Sequence, residues 1–194
     1  MKTRFVTAVF VALTVLASLH AQGGRGSRAA SSAQKKFDHI ARNAQRQQPD
    51  PKPTVVTEEE MNAWLAENRA RLPRGVDSLR LDGTGPGALA GHASVDFDEL
   101  TAGRRDANPL LRLFSGTHEI EVAALGEGKG GGALIRVQSV IINGVPVPRM
   151  ALELFIERYV KPRWPNVGME TRFRMPSRVD SATVDSDKIT IVQK

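Results

Sequence analysis

The chain of 194 residues contains no cysteine. That excludes a disulfide framework, thiolate metal ligation and cysteine nucleophiles, so the fold has only packing to hold it. Aromatic residues are scarce, at 5%, with two tryptophans and one tyrosine. Histidine is rarer still in useful places: His20 and His39 lie near the N-terminus, and His92 and His118 lie in strand-like segments without ligand spacing to any acidic residue. No metal or cofactor is expected from such a set. There is no Gly-x-Ser-x-Gly elbow, and Gly83-Thr84-Gly85-Pro86-Gly87 lacks the Lys-Ser/Thr and strand-to-helix context of a phosphate loop. No catalytic constellation emerges, and the expectation is a non-enzymatic protein.

Long apolar runs are also missing, with one exception. Lys2 and Arg4 precede an uncharged stretch from Phe5 to Leu19, followed by Leu19-His20-Ala21. This reads as a signal peptide over residues 1–21, because about 15 apolar residues fall short of the ~20 that a spanning helix needs. Together with the absence of cysteine, it points to a periplasmic or secreted bacterial protein.

The net charge of +6 invites a nucleic-acid reading, but its distribution argues against one. Residues 22–53 hold seven basic side chains (Arg25, Arg28, Lys35, Lys36, Arg42, Arg46 and Lys52) against Asp38 and Asp50, while residues 54–194 hold 18 basic and 19 acidic ones. The basicity thus belongs to a tail, suited to an anionic membrane surface rather than to nucleic acid. Residues 22–53, rich in Gly, Ser, Arg and Gln, read as a mostly disordered linker. Within it Phe37, Ile40, Ala41 and Ala44 share one face of a short polar helix, ended by Asp50-Pro51-Lys52-Pro53.

Residues 54–194 read as a single α+β domain. Thr57 and Glu60 make a capping box, Val56 and Met61 a staple across it, and Met61, Trp64, Leu65 and Leu72 continue at helical spacing to about Arg71. Period-two segments follow. Leu79 and Leu81 pair with Leu89, Ala93, Val95 and Phe97 across a glycine-rich loop; Ile120, Val122 and Ala124 pair with Ile135, Val137 and Ile141 across Gly126 to Gly132; and Arg172 to Val184 pairs with Lys188 to Val192. A short helix is predicted at Asn108 to Phe114. The order predicts a curved antiparallel sheet built from hairpins, packed against one long and one or two shorter helices.

After Asn143-Gly144, Pro146 and Pro148 hold the chain extended before a helix over residues 148–160. Its Ala151, Leu152, Phe155, Ile156 and Tyr159 form one apolar face, Arg149, Glu153, Glu157 and Lys161 a charged stripe, and Met150 and Leu154 lie on the far side. The second apolar face is core, groove or interface; phase alone leaves the three open.

Thr57, Glu58, Glu60, Asn62 and Leu65 form a Thr-Glu-x-Glu-x-Asn-x-x-Leu pattern, and Gly144-Val-Pro-Val-Pro148 precedes the second helix. This resembles small bacterial envelope proteins of the LmeA-like and YceB-like groups, related to the tubular lipid-binding superfamily. The resemblance implies a strongly curved sheet around a long helix with an apolar space for acyl chains. The expected function is binding of a lipid or other apolar ligand between helix and sheet. Met150, Leu154, Phe155 and Tyr159 would line the groove, and Lys161, Arg163, Arg172, Arg174 and Arg178 would meet a headgroup. The alternative is an envelope interaction or dimerisation module without a small ligand.

Overall fold

A computed structural model describes residues 27–101, 115–162 and 165–194. The predicted signal peptide and the predicted helix at residues 108–114 lie outside the described residues. Helix α1 (Arg28–Ala44) leads to strand β1 (Thr54–Thr57) and helix α2 (Glu58–Glu67), which closes in a 3₁₀ turn. Strands β2 (Val76–Gly85) and β3 (Ala88–Asp96) form the first hairpin, followed by α3 (Phe97–Thr101). Strands β4 (Thr117–Lys129) and β5 (Gly132–Ile142) form the second, and β6 (Val145–Pro146) leads into α4 (Arg149–Phe155), which continues as a π turn over Ile156–Val160. Strands β7 (Glu170–Arg174), β8 (Val179–Val184) and β9 (Lys188–Gln193) complete the described chain.

All pairings are antiparallel, and the fold is the expected α+β class. The strand order is β1-β9-β8-β4-β3-β2, with β5 on the other side of β4 and with β6 and β7 both on β5. Strand β8 meets β4 only at Ala182 and Gly128, beyond the point where β3 ends at Ala88 opposite Leu125. The β2–β3 and β8–β9 hairpins therefore abut end to end along one side of β4. Their contact explains one glycine: a Cβ at Gly83 would lie 2.1 Å from the Asp185 carbonyl oxygen, so no larger residue fits.

The helix α2 begins as the sequence dictates. Glu60 N donates to Thr57 Oγ1 and Thr57 N donates to Glu60 Oε2, the reciprocal capping box. Met61, Trp64 and Leu65 are buried, Trp64 against Phe37 of α1. Two polar side chains of α2 then serve an unexpected purpose, closing the outer edge of β2. Asn62 Nδ2 donates to the Leu81 carbonyl and Leu81 N donates to Asn62 Oδ1, both at 2.8 Å, while Gly83 N donates to Glu58 Oε2 at 3.0 Å. An open strand edge is a template for pairing with another chain, and these bonds block part of it. Asn62→Ala strands both Leu81 groups, so a loss of about 1–3 kcal/mol in chemical denaturation is expected.

The largest departure from expectation is residues 22–53. Most of this stretch is not a disordered linker: α1 spans Arg28–Ala44, and its Ala30, Ala33, Phe37 and Ile40 are buried in the common core. The actual stripe, at spacings of three, four and three, lies one turn earlier than the Phe37-Ile40-Ala41-Ala44 face suggested. Polar groups reinforce it. Lys36 Nζ and Ser32 Oγ both reach Glu60, and Trp64 Nε1 donates to Gln34 Oε1. At the C-terminal end, buried Asn43 donates to the carbonyl of Asp50 and to Gln193 Oε1, and Gln193 Nε2 donates to the carbonyls of Ile40 and Ser177. Both side-chain amides of that knot are hydrogen-bonded through donor and acceptor, which is the condition under which a buried polar pair does not cost stability.

Glu60 is the hub between α1, α2 and the capping box. Burial by itself would raise its pKa, but hydrogen bonds from Lys36, Ser32 and Thr57 outweigh that and hold it below the ordinary 4.5. The folded value is lower than the unfolded one, so its contribution to stability is present above about pH 4.5 and is lost as pH falls through the folded value. Glu60→Gln is expected to flatten the fall in melting temperature between neutral pH and about pH 3. An unchanged pH profile would assign that acid sensitivity to other carboxylates.

The third predicted hairpin also needs correction. Its first arm is two strands, because Pro176 is followed by Ser177 and Arg178 in left-handed conformations, with φ of 55° and 56°. The break sends β7 to pair with β5 and leaves β8 to pair with β9.

Candidate functional site

Strand alternation assigns the side chains to two faces. Opposed rungs put Leu81, Leu89, Ala124, Gly126 and Ile135 on the concave side with Ala93 and Val95, and put Arg80, His92, Leu125, Lys129, Arg172 and Arg174 on the convex side. On the concave side, α1 and α2 cover only part of the sheet. Beside them lies a cavity of about 60 Å³ walled by Val56, Met61, Leu81, Leu89, Ile135 and Ile189. Gly126 forms part of its floor, with its Cβ position 3.7 Å from Leu89 Cδ2 and 4.0 Å from Ile135 Cγ1. Glu58 and Lys188 stand among its polar neighbours.

A single water needs roughly 10–15 Å³ of such space, so the cavity accommodates a few methylene-sized groups rather than a whole lipid. From it the same face of β4 and β5 continues through Val122 and Ile120 and through Val137, Val140 and Ile142, all half-buried. The concave apolar surface is therefore longer than the cavity.

The predicted groove residues do not form this site. Met150 and Leu154 on α4 are 73% and 66% exposed, and Val145 just before the helix is 66% exposed. Phe155 is partly buried and packs on the core from α4, and Leu152 and Ile156 are half-buried rather than buried. The side chain of Tyr159 lies outside the described residues. An apolar helix followed by a sheet suggested a sandwich between the two. In the fold, α1 takes the covering position that α4 was expected to fill.

Nor do the predicted headgroup residues converge. Lys161 pairs with Glu157 one turn back on its own helix. Arg163 lies outside the described residues. Arg172 and Arg174 alternate with buried Thr171 and half-buried Phe173, so they leave the sheet on the face opposite the cavity. Arg178 Nη1 donates to the carbonyls of Arg46 and Gln47, at 3.0 and 3.4 Å, and thus secures the chain just after α1.

The two strand histidines have structural partners. His92 faces Asp82 at 3.3 Å. Asn143 Oδ1 accepts from Glu119 N, which turns Asn143 Nδ2 toward His118 Nδ1, and the other ring nitrogen meets the Ser115 carbonyl.

Comparison with protein-family models, with curated proteins and with solved structures finds no match. The resemblance to tubular lipid-binding proteins thus rests only on the segments Thr57 to Leu65 and Gly144 to Pro148. In this fold every motif residue of the first segment has a structural role. Thr57 and Glu60 cap α2, Glu58 and Asn62 close the β2 edge, and Leu65 fills the core.

The cavity walls were individually visible in the sequence as inward positions of strands and as the Met61 stripe. Nothing local distinguishes a wall residue from a core residue. That difference depends on how far α1 and α2 extend across the sheet.

Proposed function

We propose that this chain is a non-enzymatic, exported binding module whose concave face receives an aliphatic chain, with the chain end in the cavity. The carrying observation is that the cavity beside α2 has almost wholly aliphatic walls and opens onto a further apolar strip of β4 and β5. Magnitudes favour an extended ligand over a small one. Each buried methylene contributes about 0.8 kcal/mol, so three or four in the cavity give only about 3 kcal/mol, short of the ~4 kcal/mol of a millimolar complex. Contact along Val122, Val140 and Ile142 would supply the rest.

Gly126 provides the test. Its backbone needs no positive φ and its Cβ position is in ordinary contact, so Gly126→Ala should fold normally, while Gly126→Leu fills the cavity between Leu89 and Ile135. Displacement of a fluorescent fatty acid should weaken at least about tenfold in Gly126→Leu and little in Gly126→Ala, a tenfold change being about 1.4 kcal/mol. Equal affinity in both variants, with native melts, would move the site elsewhere. Native mass spectrometry after mild purification should show a co-purifying lipid mass.

A docking module is the second reading, favoured by the exposed trio of Val145, Met150 and Leu154. Because these side chains pack on little, Leu154→Lys is expected to change stability by no more than about 0.5 kcal/mol. A stable lipid-free dimer that Leu154→Lys dissociates would establish this reading instead.

A further inference from the structure

Behind the cavity, on the convex face, the β4–β5 hairpin and β7 form a broad shallow groove of about 480 Å³. One rung sets Lys129, Gly132 and Arg174 side by side across three strands, and another sets Glu127, Leu134 and Arg172. Gly132 contributes no side chain, so the middle of its rung is a trough with a cation on each bank. Adjacent strands are about 4.8 Å apart, which places the roots of Lys129 and Arg174 roughly 10 Å apart. Both side chains are long enough to meet over Gly132.

The cations differ in how far they are already engaged. Glu170 lies between Arg136 and Arg172, at 3.2 and 2.8 Å, and those two arginines hold its carboxyl below the ordinary carboxylate range. Arg172 is thus partly neutralised. Among the described residues no carboxylate lies within ion-pair distance of Lys129 or Arg174, although Glu127 is only two residues from Lys129. The hairpin is held firmly beneath them. Gly130 and Gly131 take the positive φ of a tight turn, Gly131 N donates to the Asp180 carbonyl and Met175 N donates to the Gly131 carbonyl. Two cations without a carboxylate partner among the described residues, rooted on either side of Gly132 and long enough to converge on one anion, face a groove lined by Gly132 and Leu134.

We propose that this groove is an anion-binding site for a phosphate group, gripped by Lys129 from one bank and by the guanidinium fork of Arg174 from the other. Arginine presents paired N–H donors that match two phosphate oxygens, and lysine adds a point charge. The phosphate comes from a lipid headgroup or from a soluble phosphoester; the chemistry recognised is the same. The site lies on the face opposite the apolar cavity and stands or falls independently of it.

The test uses the full chain with two probes: glycerol phosphate in solution, and phosphatidylcholine vesicles with or without phosphatidylglycerol. Glycerol phosphate should shift the amide resonances of Lys129, Gly132 and Arg174, and phosphatidylglycerol vesicles should sediment the protein. The variant Gly132→Glu puts a carboxylate in the trough, and its Cβ would be no closer than 3.8 Å to the nearest atom, the Lys129 carbonyl oxygen, so the melt should be unchanged. A second variant, Lys129→Gln with Arg174→Gln, removes both jaws from exposed positions. Each should weaken binding at least tenfold. Loss of vesicle binding alone identifies a lipid headgroup as the source, and loss of glycerol phosphate binding alone identifies a soluble ligand. Binding that both variants retain, or no binding of either probe by the native chain, overturns the proposal. Gly126→Leu should leave both probes bound, which separates this result from the cavity test.

Discussion

A chain starting at Pro53 is expected to lose its cooperative thermal transition, whereas one starting at Gln22 keeps it. Removing α1 strips Ala30, Ala33, Phe37 and Ile40 from the core and uncovers Trp64, Leu65 and Val56. Single truncations of buried Phe or Ile to Ala cost about 2–5 kcal/mol, and a whole domain holds only about 5–15 kcal/mol. Losing both large side chains, the Lys36–Glu60 pair and the Asn43–Gln193 knot together is comparable with that whole reserve. Circular dichroism and dye binding to exposed apolar surface would both report it. If the chain from Pro53 melts within a few degrees of the longer one, α1 does not contribute to the core.

Trp64→Ala should be the most damaging substitution in α2, at about 3–5 kcal/mol. The side chain is 2% exposed, its Nε1 donates to Gln34 Oε1 at 2.8 Å, and its ring meets Phe37 edge-on, with centroids 5.2 Å apart and planes at 86°. The Arg71 guanidinium lies 5.9 Å from the ring centroid. Because Phe37 belongs to α1, the pair joins two helices that are distant in sequence. A double-mutant cycle of Trp64→Ala with Phe37→Ala should give a coupling of about 0.5–1.5 kcal/mol, the worth of an aromatic pair beyond its buried area. A coupling near zero would mean that the two rings are buried without supporting one another.

Both expectations concern α1, which the composition of residues 22–53 concealed. Averaged over the stretch, glycine, serine and basic residues dominate. The decisive signal was four residues in one stripe, two of them alanines. Alanine carries little hydrophobicity, so Ala30 and Ala33 do not announce a buried face. They are buried because a small side chain lets α1 approach closely. Helix α4 misled in the opposite direction. Met150 and Leu154 look like core residues by type, yet a helix with apolar groups around much of its circumference can be covered only as far as neighbours exist, and α4 finds too few. The basic residues of β7 were expected at the groove mouth although the sequence held the signal against it. Alternation with Thr171 and Phe173 assigns Arg172 and Arg174 to one face and excludes them from a site on the other.

What the residues determined alone is what short-range physics controls. The capping box sets the start of α2, the glycine-rich turns close the first two hairpins, period-two alternation sorts strand faces except beyond the β5 bulge at Gln138, where Ile141 turns to the face opposite Ile135 and Val137, and their order yields an antiparallel α+β fold. Each depends on groups within a few positions of one another, whose free energies are local. Tertiary structure decided which helix covers the sheet, that Asn62 and Glu58 close the β2 edge, and that Arg178 secures the end of α1 rather than a ligand. It also decided where the apolar surface stays uncovered. Those outcomes follow from competition for one concave face among segments as far apart in the chain as Asn43 and Gln193, 150 positions. The energy of such contacts depends on which segment arrives with the better fit.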